Sequence, residues 1–238
     1  MRLKPYVLKF KRELILLAVV LLTVSIFAKE TRDVVIVMDT GLTVNQDSLP
    51  YLCESGHVDF SGSGTIDDNN GHGTNIAGLV ARGLDTKKQC IVIVKYYDTD
   101  KDPYNKQEPG EALDRAWNYL LTTNAKWINM SFVGEVYVQN EYSAIKQLLA
   151  RGTKVVVAAG NEALNFDDKC ERYPACYGFK SPNWYVVGAY DLSLSNFGGP
   201  VNIVLQGMNQ RGHFGPLMSG SSQATGNATA KIIKGLIK

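Results

Sequence analysis

The stretch DVVIVMD, residues 33–39, decides how the rest of the chain is interpreted. Its near-continuous apolar run predicts a strand that is buried on both faces, as strands of parallel sheets are. The run ends in a carboxylate, Asp39, which is followed by Gly41. Because sites of α/β proteins form at the carboxyl ends of the strands, Asp39 is the first candidate for a functional residue.

Apolar strands and helical patterns alternate along the rest of the chain. The further segments predicted are strands at 90–98, 125–132, 153–161, 184–191 and 200–207, and helices at 74–84, 111–123, 140–152 and from 221 to the end. This order predicts an α/β fold of three layers, with a mostly parallel central sheet and helices on both faces. We expect one domain, spanning residues 29–238.

Residues 1–28 differ from that domain in composition. A basic start with Arg2, Lys4, Lys9, Lys11 and Arg12 precedes the uncharged run LILLAVVLLTVSIFA, residues 14–28. This pattern predicts a signal peptide cleaved after Ala28, or an N-terminal membrane anchor if cleavage does not occur. The predicted location is therefore secreted or periplasmic, or membrane-anchored in the second case.

The charge pattern excludes one class of partner. Residues 1–28 carry five of the 25 basic and one of the 23 acidic residues, so the remainder is mildly acidic. No basic run occurs outside that segment, which argues against nucleic-acid binding.

The cysteines are even in number, as expected for an exported chain with disulfides. Cys170 and Cys176 enclose a short loop, so the favoured pairing is Cys170–Cys176 with Cys53–Cys90. Buried free thiols are the alternative. No spacing of cysteine and histidine indicates zinc.

Three side chains with the chemistry of acyl transfer stand at strand ends and helix starts. Asp39 ends the first strand, His72 lies between two glycines in NNGHGTNIAG, and Ser222 lies in SGSSQAT at the start of the last helix. A serine at a helix start is ordinarily only a cap. With a histidine to accept its proton and an acid to orient the imidazole, it becomes a candidate nucleophile. The other histidines, His57 and His213, are interpreted as surface or loop residues.

The region from Asp33 to Lys238 resembles the subtilisin-like serine proteases, or subtilases. VVIVMDTG, NGHGTNIAG and SGSSQAT are similar to the family's aspartate, histidine and serine motifs, in the same order. The resemblance implies a serine endopeptidase acting on peptides or proteins through Asp39, His72 and Ser222, without a required cofactor and as a monomer. It also implies an oxyanion hole formed by Asn161, in VVVAAGNEA, together with the N–H of Ser222.

The resemblance further implies where a peptide substrate binds. The segment after INM supplies the strand that pairs with an extended peptide, and AAG supplies the facing wall of the pocket for the side chain before the scissile bond. The implied substrate-binding residues are Ser131, Phe132, Val133, Gly134, Ala158, Ala159 and Gly160. Val133 stands where glycine is frequent, which predicts a narrow pocket and small side chains.

The chain also departs from the family pattern. Asn75 replaces a second histidine, Gln223 a common methionine, and Gly226 a usual proline. Few residues separate the predicted cleavage site from the first strand, which predicts a compact form without a prodomain. Such a form would fold unaided, use a separate protein as chaperone, or lack the kinetic barrier that makes a prodomain necessary. The candidate protein partners besides substrate are a separate chaperone or an inhibitor. These departures leave open a weakly active or inactive peptide-binding protein, and an esterase is a third chemical option.

A calcium site is one further hypothesis. Asp98, Asp100 and Asp102 alternate along DTDKDP and could offer oxygen ligands. The stretch lacks the glycine and the terminal glutamate of an EF-hand loop, so a solvated acidic turn is the favoured interpretation.

Overall fold

The computed structural model describes residues 30–98 and 109–238. The predicted signal peptide or anchor therefore lies outside the described residues. Residues Arg32–Lys238 form one compact unit. No helix in the described part of the chain is both long and apolar enough to cross a membrane.

The elements alternate as the sequence predicts. The strands are β1 (Asp33–Asp39), β2 (Val58–Asp59), β3 (Gln89–Lys95), β4 (Trp127–Met130), β5 (Lys154–Ala158), β6 (Trp184–Ala189) and β7 (Ile203–Leu205). The helices are α1 (His72–Ala81), α2 (Pro109–Thr122), α3 (Gln139–Ala150) and α4 (Ser221–Ile233). The two-residue strand β2 was not predicted, because it is too short to produce an apolar run.

The seven described strands form one parallel sheet in the order β2-β3-β1-β4-β5-β6-β7. Successive side chains of β1 point to opposite faces. Val37 packs in a cluster with Ile76 of α1, whereas Met38 packs in a cluster with Trp117 of α2. Helices therefore cover both faces, and the predicted three-layer α/β fold is confirmed.

The strand order also determines where a site can form. β1 pairs with β3 on one side and with β4 on the other, so the direction of winding reverses between β1 and β4. At such a point the chain leaves a crevice outside the carboxyl ends of the strands. The residues that follow β1, β4 and β5 meet at this edge of the sheet.

Two disulfides join loops to the framework. Cys53 is bonded to Cys90 at the start of β3, and Cys170 to Cys176 within one loop. This is the pairing that the spacing of the cysteines favours, and the described residues include no free cysteine.

Candidate active site

Asp39 and His72 are in direct contact at the carboxyl edge of the sheet. Oδ1 of Asp39 lies 2.7 Å from Nδ1 of His72 and accepts the N–H of Thr40 at 2.8 Å. Asp39 is buried at the end of β1, and His72 is the first residue of α1. With Nδ1 donating to the carboxylate, Nε2 is the ring nitrogen that can accept a proton.

This contact requires a close approach of the two backbones. A Cβ atom at Gly73 would lie 2.3 Å from the carbonyl oxygen of Gly41. Only glycine therefore lets α1 begin this close to the loop after β1.

A second buried carboxylate, Asp68, organises the loop before the histidine. It accepts hydrogen bonds from the hydroxyl of Thr40 (2.9 Å), from the hydroxyl and N–H of Thr74 (2.6 and 2.8 Å) and from the N–H groups of the two residues preceding His72 (3.0 and 2.9 Å). Sequence reasoning missed Asp68. Its signal is an acidic residue just before the two asparagines and the glycine of the loop, where such side chains accept nearby backbone N–H groups.

Charges on this side of the site act on the imidazole. Burial opposes the charged form of His72, but the charge of Asp39, its hydrogen bond and the charge of Asp68 outweigh burial and raise the pKa of His72. The pKa of Asp68 is lowered, because hydrogen bonds from Thr74 and its other donors outweigh the cost of burial.

Ser222 is the second residue of α4 and is almost fully buried. Its hydroxyl donates to the carbonyl oxygen of Ser131 at 3.0 Å, and the Ser131 hydroxyl donates to the carbonyl oxygen of Ser222 at 3.1 Å. Within the described residues, the Ser222 hydroxyl is thus bonded to the end of β4 and not to His72.

Two donors converge on the start of α4. The N–H of Ser222 belongs to the first turn of the helix, where backbone donors lack intrahelical partners. The side-chain oxygen of Asn161 accepts the N–H of Ser221 at 2.8 Å, which fixes the amide plane beside Ser222. With Oδ1 held by this bond, Nδ2 lies on the other side of the amide and is the group of Asn161 that can donate to a ligand.

A buried polar chain supports Ser222 from the sheet. The Thr229 hydroxyl donates to Oδ1 of Asn129 at 2.8 Å, and Nδ2 of Asn129 donates to the Ser131 hydroxyl at 2.9 Å. These side chains connect the last helix with β4, and their positions were not apparent from the sequence. Fully satisfied buried networks of this kind impose one arrangement on the elements they join.

The two segments expected to bind peptide flank the serine. A Cβ at Gly160 would lie 3.2 Å from Cγ2 of Val133, so the two residues face each other. The N–H of Gly160 donates to the Ser221 hydroxyl at 3.1 Å. Ala158 and Ala159 are buried behind Gly160, and Phe132 packs on Tyr96 with ring centroids 4.6 Å apart.

Gly134 differs from the other residues of its segment. Its N–H and carbonyl pair with the backbone of Tyr173 at 2.7 and 2.9 Å in an isolated antiparallel bridge. Both backbone groups of Gly134 are therefore engaged in a bridge inside the protein. The neighbouring Arg172 forms ion pairs with Glu162 (3.5 Å) and Glu135 (3.2 Å), placing charges near Gly160 that sequence reasoning did not consider.

A cleft of about 220 Å³ opens beside the Asp39–His72 contact. Its walls include Tyr96, Tyr97 and Phe132. A larger cleft of about 450 Å³ lies at the opposite edge of the sheet, around Lys126 and Thr153, away from these groups. The smaller cleft is therefore the one with access to the candidate chemistry.

The acidic stretch considered for calcium is only partly described. Asp98 forms a buried ion pair with Lys95 at 2.8 Å. Asp100 and Asp102 lie outside the described residues. The carboxylate of Asp98 thus already has a cationic partner.

The sequence profile of the subtilase family matches residues 31–234. The chain belongs to the subtilase family. This assignment agrees with the resemblance of the three motifs, and it accounts for the position of Asp39, His72 and Ser222 at one edge of the sheet.

Curated relatives are subtilisin-like proteases of fungi. The chain is 32% identical over 186 residues to subtilisin-like protease 2 of Arthroderma benhamiae. The aligned region covers 70% of this chain and 40% of that relative. The chain is 30% identical over 182 residues to subtilisin-like protease 1 of Pseudogymnoascus destructans, covering 74% and 43%. The chain therefore spans about two fifths of the length of these relatives.

Solved structures show the same fold. A cold-adapted subtilisin-like serine proteinase superposes with a TM-score of 0.67 at 22% identity, covering 88% of this chain and 77% of the other. A lanthipeptide protease superposes with a TM-score of 0.69 at 16% identity, covering 86% and 73%. The two disulfides are typical of proteins outside the cytosol and support an extracellular location for this subtilase.

Proposed function

We propose that the chain is an exported serine endopeptidase in which Ser222 is the nucleophile, His72 the general base and Asp39 the residue that orients the base. The observation that carries the proposal is the partly buried 2.7 Å contact between Asp39 and His72, which lines the same cleft as Ser131, the hydrogen-bond partner of Ser222. Family membership supports the same reaction class.

The chemistry follows from these positions. Nε2 of His72 accepts the proton of the Ser222 hydroxyl while Oγ forms a bond to the carbonyl carbon of the peptide. The C–N bond then breaks, and His72 returns the proton to the leaving amine. Water repeats the sequence in place of the serine, which releases the acid product and restores Ser222. The negative charge of Asp39 stabilises the imidazolium in both steps.

Two groups would stabilise the tetrahedral intermediate. The N–H of Ser222 and Nδ2 of Asn161 lie at the N-terminus of α4, where the helix dipole favours negative charge. Removal of one oxyanion donor typically lowers kcat by about 10²- to 10³-fold in proteases of this type.

The hydrogen bond between Ser222 and Ser131 suggests how substrate prepares the nucleophile. A peptide that pairs with the segment after β4 places an N–H near the carbonyl of Ser131. That N–H would displace the Ser222 hydroxyl from this acceptor, which is at 3.0 Å in the structure, and free it to turn toward His72. Catalytic hydrogen bonds often form fully only in the substrate complex.

Substrate choice would follow from the facing walls at Val133 and Gly160. Their close approach supports a preference for small side chains before the scissile bond. Every group in the proposed reaction is a protein side chain or backbone amide, so we expect hydrolysis of a peptide library to continue in the presence of EDTA. We also propose that export removes residues 1–28, which N-terminal sequencing of the exported protein would test.

Labelling by a fluorophosphonate tests the reaction class directly. Ser222 Oγ would attack phosphorus with loss of fluoride, and intact-mass measurement of the full chain would detect one adduct. We expect the adduct on wild type and on Ser221→Ala, the matched neighbour, and none on Ser222→Ala.

The opposite result also has a clear meaning. If folded wild type carries no adduct, the proposed hydrolase is contradicted and a subtilase-fold protein that binds peptides without turnover becomes the better description. Hydrolysis of simple esters but of no peptide in a diverse library would instead favour an esterase.

A further inference from the structure

Two of the residues at which the chain departs from the family pattern are in contact with each other. Oδ1 of Asn75, on α1, accepts a hydrogen bond from Nε2 of Gln223, on α4, at 3.0 Å. Asn75 is 0% exposed and Gln223 is 2% exposed. We call these two residues the amide pair. A buried amide is costly unless it is hydrogen-bonded, so each partner depends on the other.

The other hydrogen bonds of Asn75 extend to the loop before the serine. Its Nδ2 donates to the carbonyl oxygens of Gln210 at 3.0 Å and Pro216 at 2.7 Å. Both hydrogens and the oxygen of this amide are therefore used. One side chain of α1 thus binds the loop that leads to Ser222 and the residue that follows Ser222.

The amide pair lies at one end of a close contact between α1 and α4. In the middle, a Cβ at Gly226 would lie 3.0 Å from Cβ of Leu79. Beyond the end of α1, a Cβ at Gly83 would lie 2.5 Å from Cα of Ala230. Small residues here let the two helices pack closely, and the proline usual at position 226 would add ring atoms at this contact. Gly226 thus allows close packing of α1 against α4.

These contacts assign a role to the amide pair. We infer that Asn75 and Gln223 are positioning residues that set the nucleophile Ser222 relative to the base His72. Gln223 directly follows the serine, and Asn75 lies one helical turn beyond the histidine, so the pair joins the two helices beside the reacting groups. The inference rests on the proposed hydrolase, and it adds that two departures from the family pattern act as one unit.

Saturation kinetics of fluorophosphonate labelling separate this role from a general loss of stability. Gln223→Leu removes the hydrogen bond and keeps a side chain of similar size, and Gln223→Met removes it with a different shape. We expect the limiting rate of labelling to fall by about 10- to 100-fold in both, because small misplacement of reacting groups has effects of this size. The dissociation constant of the noncovalent complex with the fluorophosphonate, formed before the serine reacts, should change little.

Thr153→Val is the matched control, since the buried Thr153 hydroxyl donates to the carbonyl of Ala125 at 3.0 Å at the opposite edge of the sheet. It should lower the melting temperature and leave the labelling rate unchanged. In a double-mutant cycle, Gln223→Leu should add little to Asn75→Ala, because Asn75→Ala already breaks the contact between the two side chains. Wild-type labelling rates in both Gln223 variants would overturn the inference.

A readout independent of catalysis covers the case in which wild type is not labelled. The chain has three histidines, so the ring signals of His72 can be assigned by NMR. We expect Gln223→Leu to shift the His72 signal and Thr153→Val to leave it in place. An unchanged His72 signal in Gln223→Leu would overturn the positioning role, whereas absent labelling of wild type would contradict the hydrolase alone.

Discussion

The two sides of the candidate site are held together by contacts of different range. The histidine side comprises Asp39, Thr40, Asp68 and His72. Asp68 binds N–H groups two, three and six residues further along the chain and reaches Thr40, 28 residues earlier. Most of this side is therefore a local loop structure, closed onto the tip of β1.

The serine side comprises Ser131, Asn161, Ser222 and Gln223. Ser131 contacts Ser222 across 91 residues, Asn161 contacts the N–H of Ser221 across 60, and Gln223 contacts Asn75 across 148. Each support of this side comes from a different element of the fold. The serine side thus forms only when β4, β5, α1 and α4 are assembled.

The two sides also differ in charge. The histidine side holds two buried carboxylates near an imidazole, whereas the supports of the serine side are neutral amides and hydroxyls. Substitutions on the histidine side should therefore change the pH dependence of activity. Substitutions on the serine side should change its rate at every pH.

The largest effect after loss of the nucleophile is expected from Asp39→Asn. An amide in place of the carboxylate favours the wrong tautomer of His72 and no longer stabilises the imidazolium, so kcat should fall by about 10⁴-fold. Peptide hydrolysis measured at pH 8 would check this. Asp33→Asn, at the other end of β1, is the control and should retain activity; equal losses in both variants would refute a special role for Asp39.

Asn161→Ala tests the serine side and should have the second-largest effect on kcat, after Asp39→Asn. The variant lacks the Nδ2 donor, so kcat should fall by about 10²- to 10³-fold while KM changes little. The loss should be the same across the pH range, since no charge is removed. Asn165→Ala, in the same loop, serves for comparison, and a pH-dependent loss in Asn161→Ala would break the contrast between the two sides.

Asp68→Asn should affect the histidine side more mildly. The charge of Asp68 is one cause of the raised pKa of His72, so its removal lowers that pKa and moves the acidic limb of kcat/KM to lower pH. The plateau rate should fall by no more than about 10-fold, because Asp39 still orients the ring. The measurement is the pH dependence of kcat/KM for Asp68→Asn, with Asp67→Asn as the control. If the acidic limb of Asp68→Asn does not move, the electrostatic role of Asp68 is contradicted.

Glu141, in α3, provides a test outside both sides. Burial raises the pKa of Glu141 to about 7, even though a hydrogen bond from Tyr177 favours its charged form. Because the unfolded chain releases this proton near the ordinary value of 4.5, folding stability should fall as the pH rises from 4.5 to 7.

Glu141→Gln removes that titration. Its stability relative to wild type should increase between pH 5 and pH 8, by about 3 kcal/mol at most, as measured by urea unfolding. The acidic limb of kcat/KM should remain where it is. A shift of the acidic limb of kcat/KM in Glu141→Gln would show that a group outside the histidine side also sets the pH dependence of activity.

The sequence predicted the framework of the site better than its supports. Asp39, His72 and Ser222 were identifiable because each stands at a strand end or helix start, in a motif of neighbouring residues. Asp68 was missed because it is one polar residue within a polar loop, and its five donors become visible only when the loop is folded. The backbone pairing of Gly134 with Tyr173 left no trace in either segment.

By itself, the sequence determined the layers, the parallel sheet and the order of acid, histidine and serine, and it favoured the disulfide pairing without fixing it. These follow from apolar runs, helix periodicity and short motifs, which act over a few residues. Only the tertiary structure decided that the Ser222 hydroxyl is hydrogen-bonded to Ser131 and that Asn75 is hydrogen-bonded to Gln223. Contacts between residues about 90 to 150 positions apart depend on how helices and strands pack, and no local pattern encodes that packing.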